Sequence, residues 1–243
     1  MDTWRINIKE RRLTVESIPE SWEHLGGRGL IARIMMDEVP GGCDPLGPKN
    51  KLIFAPGLLA GHMLSSCDRI SIGGKSPMTG GIKESNAGGR TALKLTRLGI
   101  KALIIEDRPE EEGYWVLHLS KDGAQFEPAD AFVGKGVYDV TEALLERYGK
   151  KVAVALIGQG GEMLLDSAGI QNVDKDGVPS RISARGGLGA VMGSKRIKAI
   201  VLDDDGCEKP PIVNPELYKE SQAKYYKALL DHPQTQTYAE YGT

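Results

Sequence analysis

Alternating apolar and polar residues predict two β-hairpins, one at the start of the chain and one near its middle. Residues 3–9 and 12–17 alternate on either side of a polar turn. Residues 114–119 and 124–127 do the same around Lys121-Asp122-Gly123, a sequence typical of a hairpin turn. Helical periodicity follows each hairpin, so the pattern indicates mixed α and β structure.

Helical spacing and short apolar runs predict the remaining elements. Apolar residues spaced three and four apart predict helices at 19–24, 30–39, 87–98, 137–148 and 216–230. Short apolar runs predict buried strands at 51–55, 69–72, 101–106, 152–157 and 197–202. No strand is predicted after residue 202.

The segments 86–105 and 184–202 repeat one arrangement. Each contains a glycine pair, Gly88-Gly89 or Gly186-Gly187, followed by a short helical stretch and a strand entered through Ile-Lys-Ala. We interpret this repeat as an internal duplication, with an axis near residue 130 relating the two halves.

The glycine pairs suggest anion-binding turns. A glycine-rich turn at a helix N-terminus presents free backbone N–H groups and the positive end of the helix dipole, and both favour a bound phosphate. Arg69 precedes the first turn, and Arg181 and Arg185 lie at the second, where planar guanidinium groups suit bidentate phosphate binding. Two such turns predict one ligand with two phosphate-bearing parts, or two similar ligands held back to back.

Simpler structural roles remain open for the same residues. Asn86 is suited to cap a helix, and Gly88-Gly89 is suited to form a tight turn. Both roles are compatible with a carbonyl oxygen that coordinates a hard cation between phosphates. Arg69 follows Asp68 directly, so a surface ion pair between them is the alternative to ligand binding.

Composition excludes several classes of protein. The 243 residues include 31 Lys and Arg and 33 Asp and Glu, a formal net charge of -2, so no overall basic field indicates a nucleic acid or an anionic membrane as partner. No apolar run approaches the roughly 18 residues of a membrane span. The first strand is not preceded by a charged and apolar leader. We therefore expect a soluble, cytoplasmic protein.

Familiar catalytic and nucleotide-binding motifs are incomplete. Gly74-Lys75-Ser76 matches the end of a P-loop, but Arg69 stands where the first glycine belongs. Gly158-Gln159-Gly160 begins a dinucleotide fingerprint, but Met163 replaces the last glycine. The three cysteines form no C-x2-C pair, which excludes a structural zinc or iron–sulfur site built from the thiols of this chain alone. No residue is assigned a catalytic role.

The sequence changes character after residue 207. Pro210-Pro211 and Asn214-Pro215 are typical of a linker, and the helix predicted after them is polar. We therefore divide the chain into residues 1–207, a single N-terminal domain, and residues 208–243, a linker with the start of a truncated helical second domain.

Seven motifs in one order span most of residues 4–203. They lie at residues 27–30, 50–57, 68–80, 85–89, 98–106, 157–162 and 185–195, and they include Gly-Arg-Gly-Leu, Lys-Ser-Pro-Met-Thr-Gly and Gly-Leu-Gly-Ala-Val-Met-Gly-Ser-Lys. In sequence and order they resemble the N-terminal domain of the aldehyde ferredoxin oxidoreductase family. Members of this family are tungsten- or molybdenum-dependent enzymes.

The resemblance implies an α+β fold in which two β-sheets, related by a pseudo-twofold internal duplication and flanked by helices, carry two pterins that coordinate one metal. It implies pterin contacts at Arg69, Asn86, Gly88, Arg181, Ile182, Ala184 and Arg185. The backbone oxygens of Asn86 and Ile182 would hold a magnesium ion that bridges the pterin phosphates. Arg69 would also lie between a pterin and a [4Fe-4S] cluster. The family often has alanine and glycine where Ile182 and Ala184 stand here.

The function implied by the resemblance is oxidation of an aldehyde to a carboxylate, with electrons passed through the [4Fe-4S] cluster to ferredoxin. In the family the cluster cysteines and the acids near the metal belong to later domains. We therefore expect the cluster to be ligated outside this chain and the chain to be inactive by itself. The alternative is a non-catalytic pterin-binding or assembly subunit that docks on a separate catalytic chain. A homodimer is compatible with both.

Overall fold

The computed structural model describes residues 1–62 and 64–242. The first half of the chain forms a six-stranded mixed sheet with two helices. Its elements are β1 (Asp2–Asn7), β2 (Arg12–Ser17), α1 (Gly27–Glu38), β3 (Leu52–Pro56), β4 (Ile70–Lys75), β5 (Ile82–Ala87), α2 (Thr91–Arg97) and β6 (Ile100–Glu106). Every residue of β3 and β4 is buried, and so is β6 up to its final glutamate, which explains why these strands are mostly apolar.

The second half repeats this series and adds one short helix. Its elements are β7 (Trp115–Ser120), β8 (Gly123–Pro128), α3 (Val137–Tyr148), β9 (Ala153–Leu156), α4 (Gln159–Glu162), β10 (Ile170–Asn172), β11 (Arg181–Ser183), α5 (Leu188–Ser194) and β12 (Ile197–Leu202). Both predicted hairpins are present, as β1 with β2 and β7 with β8. The helix predicted at 137–148 has those bounds.

The two sheets have the same topology. The first has the strand order β2-β1-β6-β3-β4-β5, and the second has the order β8-β7-β12-β9-β10-β11. β1 pairs with β6 in parallel, as β7 does with β12. The predicted α+β fold of two sheets related by internal duplication is therefore confirmed. The halves join at residues 107–114, between β6 and β7, rather than near residue 130.

The repeated Ile-Lys-Ala sequence has a structural reason. The Nζ atom of Lys101, in β6, donates a hydrogen bond to the backbone carbonyl of Glu23 at 2.8 Å. The Nζ atom of Lys198, in β12, donates to the backbone carbonyl of Lys135 at 3.3 Å and also pairs with Glu162. Both carbonyls follow short 3-10 helices. Each lysine thus connects a central strand to the segment that precedes the long helix of its own half.

One apolar core joins the halves. It contains buried residues of both sheets and of α2 and α5, and these two helices contact strands of both sheets. A smaller cluster packs α1 on the first sheet through Leu30, Ile31, Ile34 and Met35. Burial of an aliphatic side chain of this size contributes about 1.5 to 3 kcal/mol, so this stripe anchors α1 to the sheet.

Four elements of the two-sheet region were not predicted, namely β5, β10, β11 and α4, and neither was the last helix of the chain, Pro233–Tyr241. The helix predicted at 87–98 begins only at Thr91, because Asn86 and Ala87 end β5. Asn86 pairs across the sheet with Ser71, and this tertiary pairing overrides the local helical pattern. The proposed helix-cap role of Asn86 is therefore wrong. β10 and β11 are only three residues long, too short to show an alternating pattern.

The C-terminal part of the chain contains α6 (Pro215–Asp231) and α7 (Pro233–Tyr241). No residue of these two helices is buried within the part of the chain that the structure describes. The hydroxyl of Tyr225, in α6, donates to the carbonyl oxygen of Ser65 at 2.9 Å. This end of the chain therefore contributes almost nothing to the core of the two-sheet unit. Within residues 1–62 and 64–242, no helix combines the length and apolar character needed to cross a bilayer.

Candidate functional site

The outer edges of the two sheets meet where β5 approaches β11. A cleft of about 700 Å³ lies at this junction. It is lined by Arg28, Ile31 and Ala32 of α1, by residues 82–86 of β5, and by Ile182, Ala184 and Arg185 of the second half. The cleft therefore depends on both halves of the duplication.

Arg69 immediately precedes β4 and contacts β5. Its Nε atom donates a hydrogen bond to Oδ1 of Asn86 at 2.5 Å. Asp68 has a different partner, since its Oδ1 accepts a hydrogen bond from the backbone N–H of Gly61 at 2.7 Å. The structure therefore does not show the surface ion pair between Arg69 and Asp68 that the sequence left open. Instead it joins Arg69 to another residue of the predicted site.

Gly88 lies between arginines of the two halves. A Cβ atom at this position would be 3.8 Å from Nη1 of Arg69 and 3.9 Å from Cδ of Arg181. The two arginines are 112 positions apart in the sequence, yet both reach the same short stretch of backbone. Because Gly88 has no side chain, the backbone between them stays open to a ligand.

Arg185 is joined to the first half through the main chain. Its backbone N–H donates to Oγ of Ser85 at 3.2 Å, across the junction of the sheets. Arg185, Ile182 and Ala184 are exposed, and all three line the cleft together with Asn86. The structure thus brings all seven predicted site residues to one junction, whereas their ligand-binding roles remain predictions.

The charge of this junction suits an anionic ligand. The cleft is lined by Arg28, Lys83 and Arg185, and Glu84 is the acidic residue among its described lining residues. Glu84 is partly neutralised by Arg28, whose Nε lies 3.3 Å from Oε2. The arginines that flank Gly88 add further positive charge. Guanidinium groups bind phosphate strongly, so the residues present fit a phosphate-bearing cofactor.

Three of the four glycines in the two pairs, Gly89, Gly186 and Gly187, pack closely against the opposite half. A Cβ atom at Gly89 would lie 2.7 Å from the carbonyl oxygen of Val173 in the second half, and one at Gly187 would lie 2.7 Å from Cγ of Pro77 in the first half. The Ser76 hydroxyl donates to the carbonyl of Gly186 at 2.7 Å. The opposite half therefore packs against these three turn glycines, whereas Gly88 has only ordinary contacts. Edge strands and arginine side chains beside Gly88 form the candidate site.

Several lining residues were missed because β5 was not predicted. Antiparallel pairing places Glu84 opposite Gly73 and Lys83 opposite Gly74. A strand assignment for residues 82–87 would have placed Glu84 and Asn86 on one face of the sheet. Within residues 1–62 and 64–242, no group of three or more His, Cys, Asp or Glu side chains is arranged to hold a metal ion.

Comparisons with known proteins agree with this architecture. The family model described as "Aldehyde ferredoxin oxidoreductase, N-terminal domain" matches residues 3–204. This chain belongs to that family and contains its N-terminal domain. The tungsten-containing aldehyde ferredoxin oxidoreductases of Thermococcus kodakarensis and Pyrococcus furiosus are 35% and 34% identical to it over 217 residues. In both cases the match covers 88% of this chain and 34% of the relative.

Two further similarities widen the range of related proteins. The aliphatic sulfonate oxidoreductase, WOR-like subunit, of Pyrococcus furiosus is 27% identical over the whole of this chain and 39% of its own length. A solved structure, the active site complex BamBC of benzoyl coenzyme A reductase with 1,5-dienoyl-CoA, superposes with a TM-score of 0.85 at 28% identity. That match covers 94% of this chain and 34% of the other. The chain thus spans about a third of the length of the relatives it matches.

Proposed function

We propose that this chain is the cofactor-binding domain of a tungsten-dependent oxidoreductase, with molybdenum as the alternative metal. The observation that supports the proposal is the approach of Arg69 and Arg181, one from each half, to Gly88, next to the cleft that Asn86 and Arg185 line. The relatives that are 34% and 35% identical are named as tungsten-containing enzymes. When bound, a bis-pterin tungsten centre supplies two-electron redox chemistry.

The chain's own residues would bind and orient this cofactor. Arg69, Arg181 and Arg185 would bind its phosphates, and the open backbone at Gly88 would allow close approach. The backbone oxygens of Asn86 and Ile182 would hold Mg²⁺ between the phosphates, since hard cations prefer oxygen ligands. Ala184 would contribute backbone contact beside Arg185. All these groups lie on strands and turns held by the shared core, which favours a pre-organised site.

For the reaction, we propose oxidation of an aldehyde to a carboxylate, with electrons passed through a [4Fe-4S] cluster to ferredoxin. The names of the 34% and 35% identical relatives support this substrate class. The cluster would be ligated by residues outside this chain, and the chain alone would be inactive. Residues 208–243 would then be the linker and the start of a helical second domain, which the absence of buried residues in α6 and α7 supports within the described part. A cytoplasmic location and a homodimer are part of the same proposal.

A second proposal is a non-catalytic subunit that docks on a separate catalytic chain. The sulfonate oxidoreductase relative is named as a subunit, and the benzoyl coenzyme A reductase neighbour as a complex. Native mass spectrometry of the purified protein separates the two proposals. In the full-length gene product, one polypeptide that is longer than this chain and carries iron–sulfur absorption favours the domain. A separate cluster-bearing chain of different mass favours the subunit.

The proposed cofactor is tested by metal analysis and pterin fluorescence on protein produced with tungstate and with molybdate. We expect tungsten and pterin in the wild type and about tenfold weaker retention in Arg185→Ala, since a charged hydrogen bond contributes about 1.5 to 3 kcal/mol. Arg33→Ala is the control, because Arg33 is exposed on the same helix as Arg28 but pairs with Asp37. Unchanged pterin content in Arg185→Ala would contradict the proposal.

A further inference from the structure

A continuous series of hydrogen bonds leads from Glu84 to Arg69. Oγ of Ser71 donates to Oε1 of Glu84 at 2.6 Å. Nδ2 of Asn86 donates to Oγ of Ser71 at 3.2 Å. Nε of Arg69 donates to Oδ1 of Asn86 at 2.5 Å. The series crosses between β4 and β5, where Ser71 lies directly opposite Asn86, so residues two apart on each strand share one face of the sheet.

The chemistry of these groups determines the direction of every bond. An ionised carboxylate only accepts hydrogen bonds, so the single hydroxyl proton of Ser71 goes to Glu84. Oγ of Ser71 can then only accept, which requires the NH2 group of the Asn86 amide to face it. The carbonyl oxygen of the same amide therefore faces Arg69, whose Nε–H can only donate. If the direction of any one of these three hydrogen bonds were reversed, two donors or two acceptors would face each other.

We infer that Glu84, Ser71 and the side chain of Asn86 are positioning residues for Arg69, an inference that rests on the proposed cofactor-binding function. The series commits Nε of Arg69 to the protein, and among residues 1–62 and 64–242 its terminal nitrogens have no hydrogen-bond partner, which leaves them available to a ligand. Nη1 lies 3.8 Å from where a Cβ of Gly88 would stand, and Cδ of Arg181 lies 3.9 Å from the same point. Asn86 thus contributes a side-chain role that is separate from the proposed role of its backbone oxygen.

The far end of the series is itself fixed. Oε2 of Glu84 faces Nε of Arg28 at 3.3 Å, which ties the carboxylate to α1. Gly27, at the start of α1, leaves room for the hydroxyl, because a Cβ there would lie 3.2 Å from Oγ of Ser71. Ser71 is 3% exposed, so water competes little for its hydroxyl. The orientation of Arg69 is therefore coupled to the docking of α1 on the sheet.

Solvent exchange of the Arg69 Nε–H proton, measured by nitrogen-15 NMR on this chain, tests the inference without any cofactor. In Ser71→Ala the Asn86 amide loses its acceptor, and we expect this proton to exchange about three to ten times faster, the range that corresponds to one ordinary hydrogen bond. Ser71→Thr keeps the hydroxyl and should restore the wild-type rate. Ser120→Ala, on a strand of the other sheet, is the control and should have no effect.

Glu84→Ala provides a second route should Ser71→Ala fail to fold. Without the carboxylate, the Ser71 proton has no fixed acceptor, so the exchange of Arg69 Nε–H should again accelerate. An unchanged exchange rate in the folded Ser71→Ala or Glu84→Ala variant would overturn the inference. Tungsten and pterin content of the wild type tests the proposed function separately, so failure of one proposal is distinguishable from failure of the other.

Discussion

Asn86 and Ile182 occupy equivalent positions on the two edge strands that meet at the cleft. Asn86 lies opposite Ser71, the second residue of β4, and Ile182 lies opposite Gln171, the second residue of β10. Both line the same cleft. A chemical difference between the side chains at equivalent positions indicates that any shared role belongs to the backbone.

This equivalence predicts different outcomes for two alanine substitutions. Ile182→Ala leaves the backbone oxygen in place, so cofactor content should stay within about twofold of the wild type. Asn86→Ala also removes the acceptor of Arg69 Nε–H, and cofactor retention should fall about tenfold or more, the effect of one charged hydrogen bond. Both are measured as tungsten and pterin per chain. Equal losses in the two variants would contradict separate side-chain and backbone roles.

The glycines of the first turn offer a matched pair of substitutions. Gly89 has a φ of +102°, and a Cβ there would meet the carbonyl oxygen of Val173 at 2.7 Å. Gly89→Ala should therefore lower the free energy of unfolding by more than about 2 kcal/mol. Gly88→Ala makes only ordinary contacts with Arg69 and Arg181, so its stability should change by less than about 1 kcal/mol.

Gly88→Ala should nevertheless lower pterin content, because its methyl group stands where the ligand would approach the backbone. Urea unfolding and pterin analysis of the two variants separate packing from binding. A severe loss of stability in Gly88→Ala would contradict its binding role, and unchanged stability in Gly89→Ala would contradict its packing role.

The first half contains a cluster of charged side chains around Arg5 that the second half, within its described residues, lacks at its equivalent position. Arg5 of β1 pairs with Glu16 and Glu38 at 2.6 Å and with Glu106 at 3.5 Å. Hydrogen bonding to Glu38 raises the pKa of Arg5 above its already high usual value. We expect Arg5→Met to lower the free energy of unfolding by about 3 kcal/mol, because it leaves partly buried carboxylates without this cation.

His118 of β7 occupies the equivalent place in the second half and serves as the internal control. Its Nε2 lies 4.0 Å from Oδ2 of Asp203 and, within the described chain, has no hydrogen-bond partner. His118→Gln should therefore cost less than about 1 kcal/mol in urea unfolding at neutral pH. If His118→Gln lowered the free energy of unfolding as much as Arg5→Met does, the special role assigned to the Arg5 cluster would be contradicted.

Lys195 connects the halves at a buried position. Its Nζ donates to the carbonyl oxygens of Asn50 at 2.7 Å and Asp107 at 2.9 Å, and the residue is 1% exposed. Burial, with a smaller contribution from the like charge of Lys51, lowers the pKa of Lys195 from 10.5 to about 7. At a pH between about 7 and 10.5, Lys195 is therefore protonated in the unfolded chain and deprotonated in the folded chain.

The contribution of Lys195 to stability should therefore rise with pH between about 7 and 10.5 and stay constant below this window. Relative to Lys195→Met, the wild type should gain up to about 1.4 kcal/mol per pH unit within it. Urea unfolding at pH 6, 7.5 and 9 measures this difference. Lys49→Met, at an exposed position, should give a profile parallel to the wild type. If the stability of Lys195→Met varied with pH in parallel with that of the wild type, the lowered pKa of Lys195 would be contradicted.

The sequence predicted those elements whose pattern is local. Alternation identified both hairpins, and helical spacing identified α1 and α3, because each of these elements presents one face to the core. The repeat of Ile-Lys-Ala revealed the duplication because Lys101 and Lys198 make equivalent contacts. These features depend on the periodicity of neighbouring residues.

The parts that were missed depend on contacts between distant segments. β5 forms through hydrogen bonds to β4 rather than through a local sequence pattern. β10 and β11 add three residues each to the second sheet. The role of Gly89 depends on Val173, which is remote in sequence. The glycine turns drew attention to Arg69, Asn86, Gly88, Arg181 and Arg185, and the family resemblance added Ile182 and Ala184. Ser71 and Glu84 became visible only when β4 and β5 were paired. No local pattern marks either of them.

We propose that the junction of β5 and β11 binds the phosphates of a tungsten–pterin cofactor. Anomalous diffraction at a tungsten edge, on crystals of protein purified from tungstate-supplied cells, tests it most directly. We predict one tungsten site per chain, with the cofactor phosphates in contact with Arg69 and Arg185. Tungsten and phosphate density that contacts neither arginine and lies outside this cleft would contradict the account.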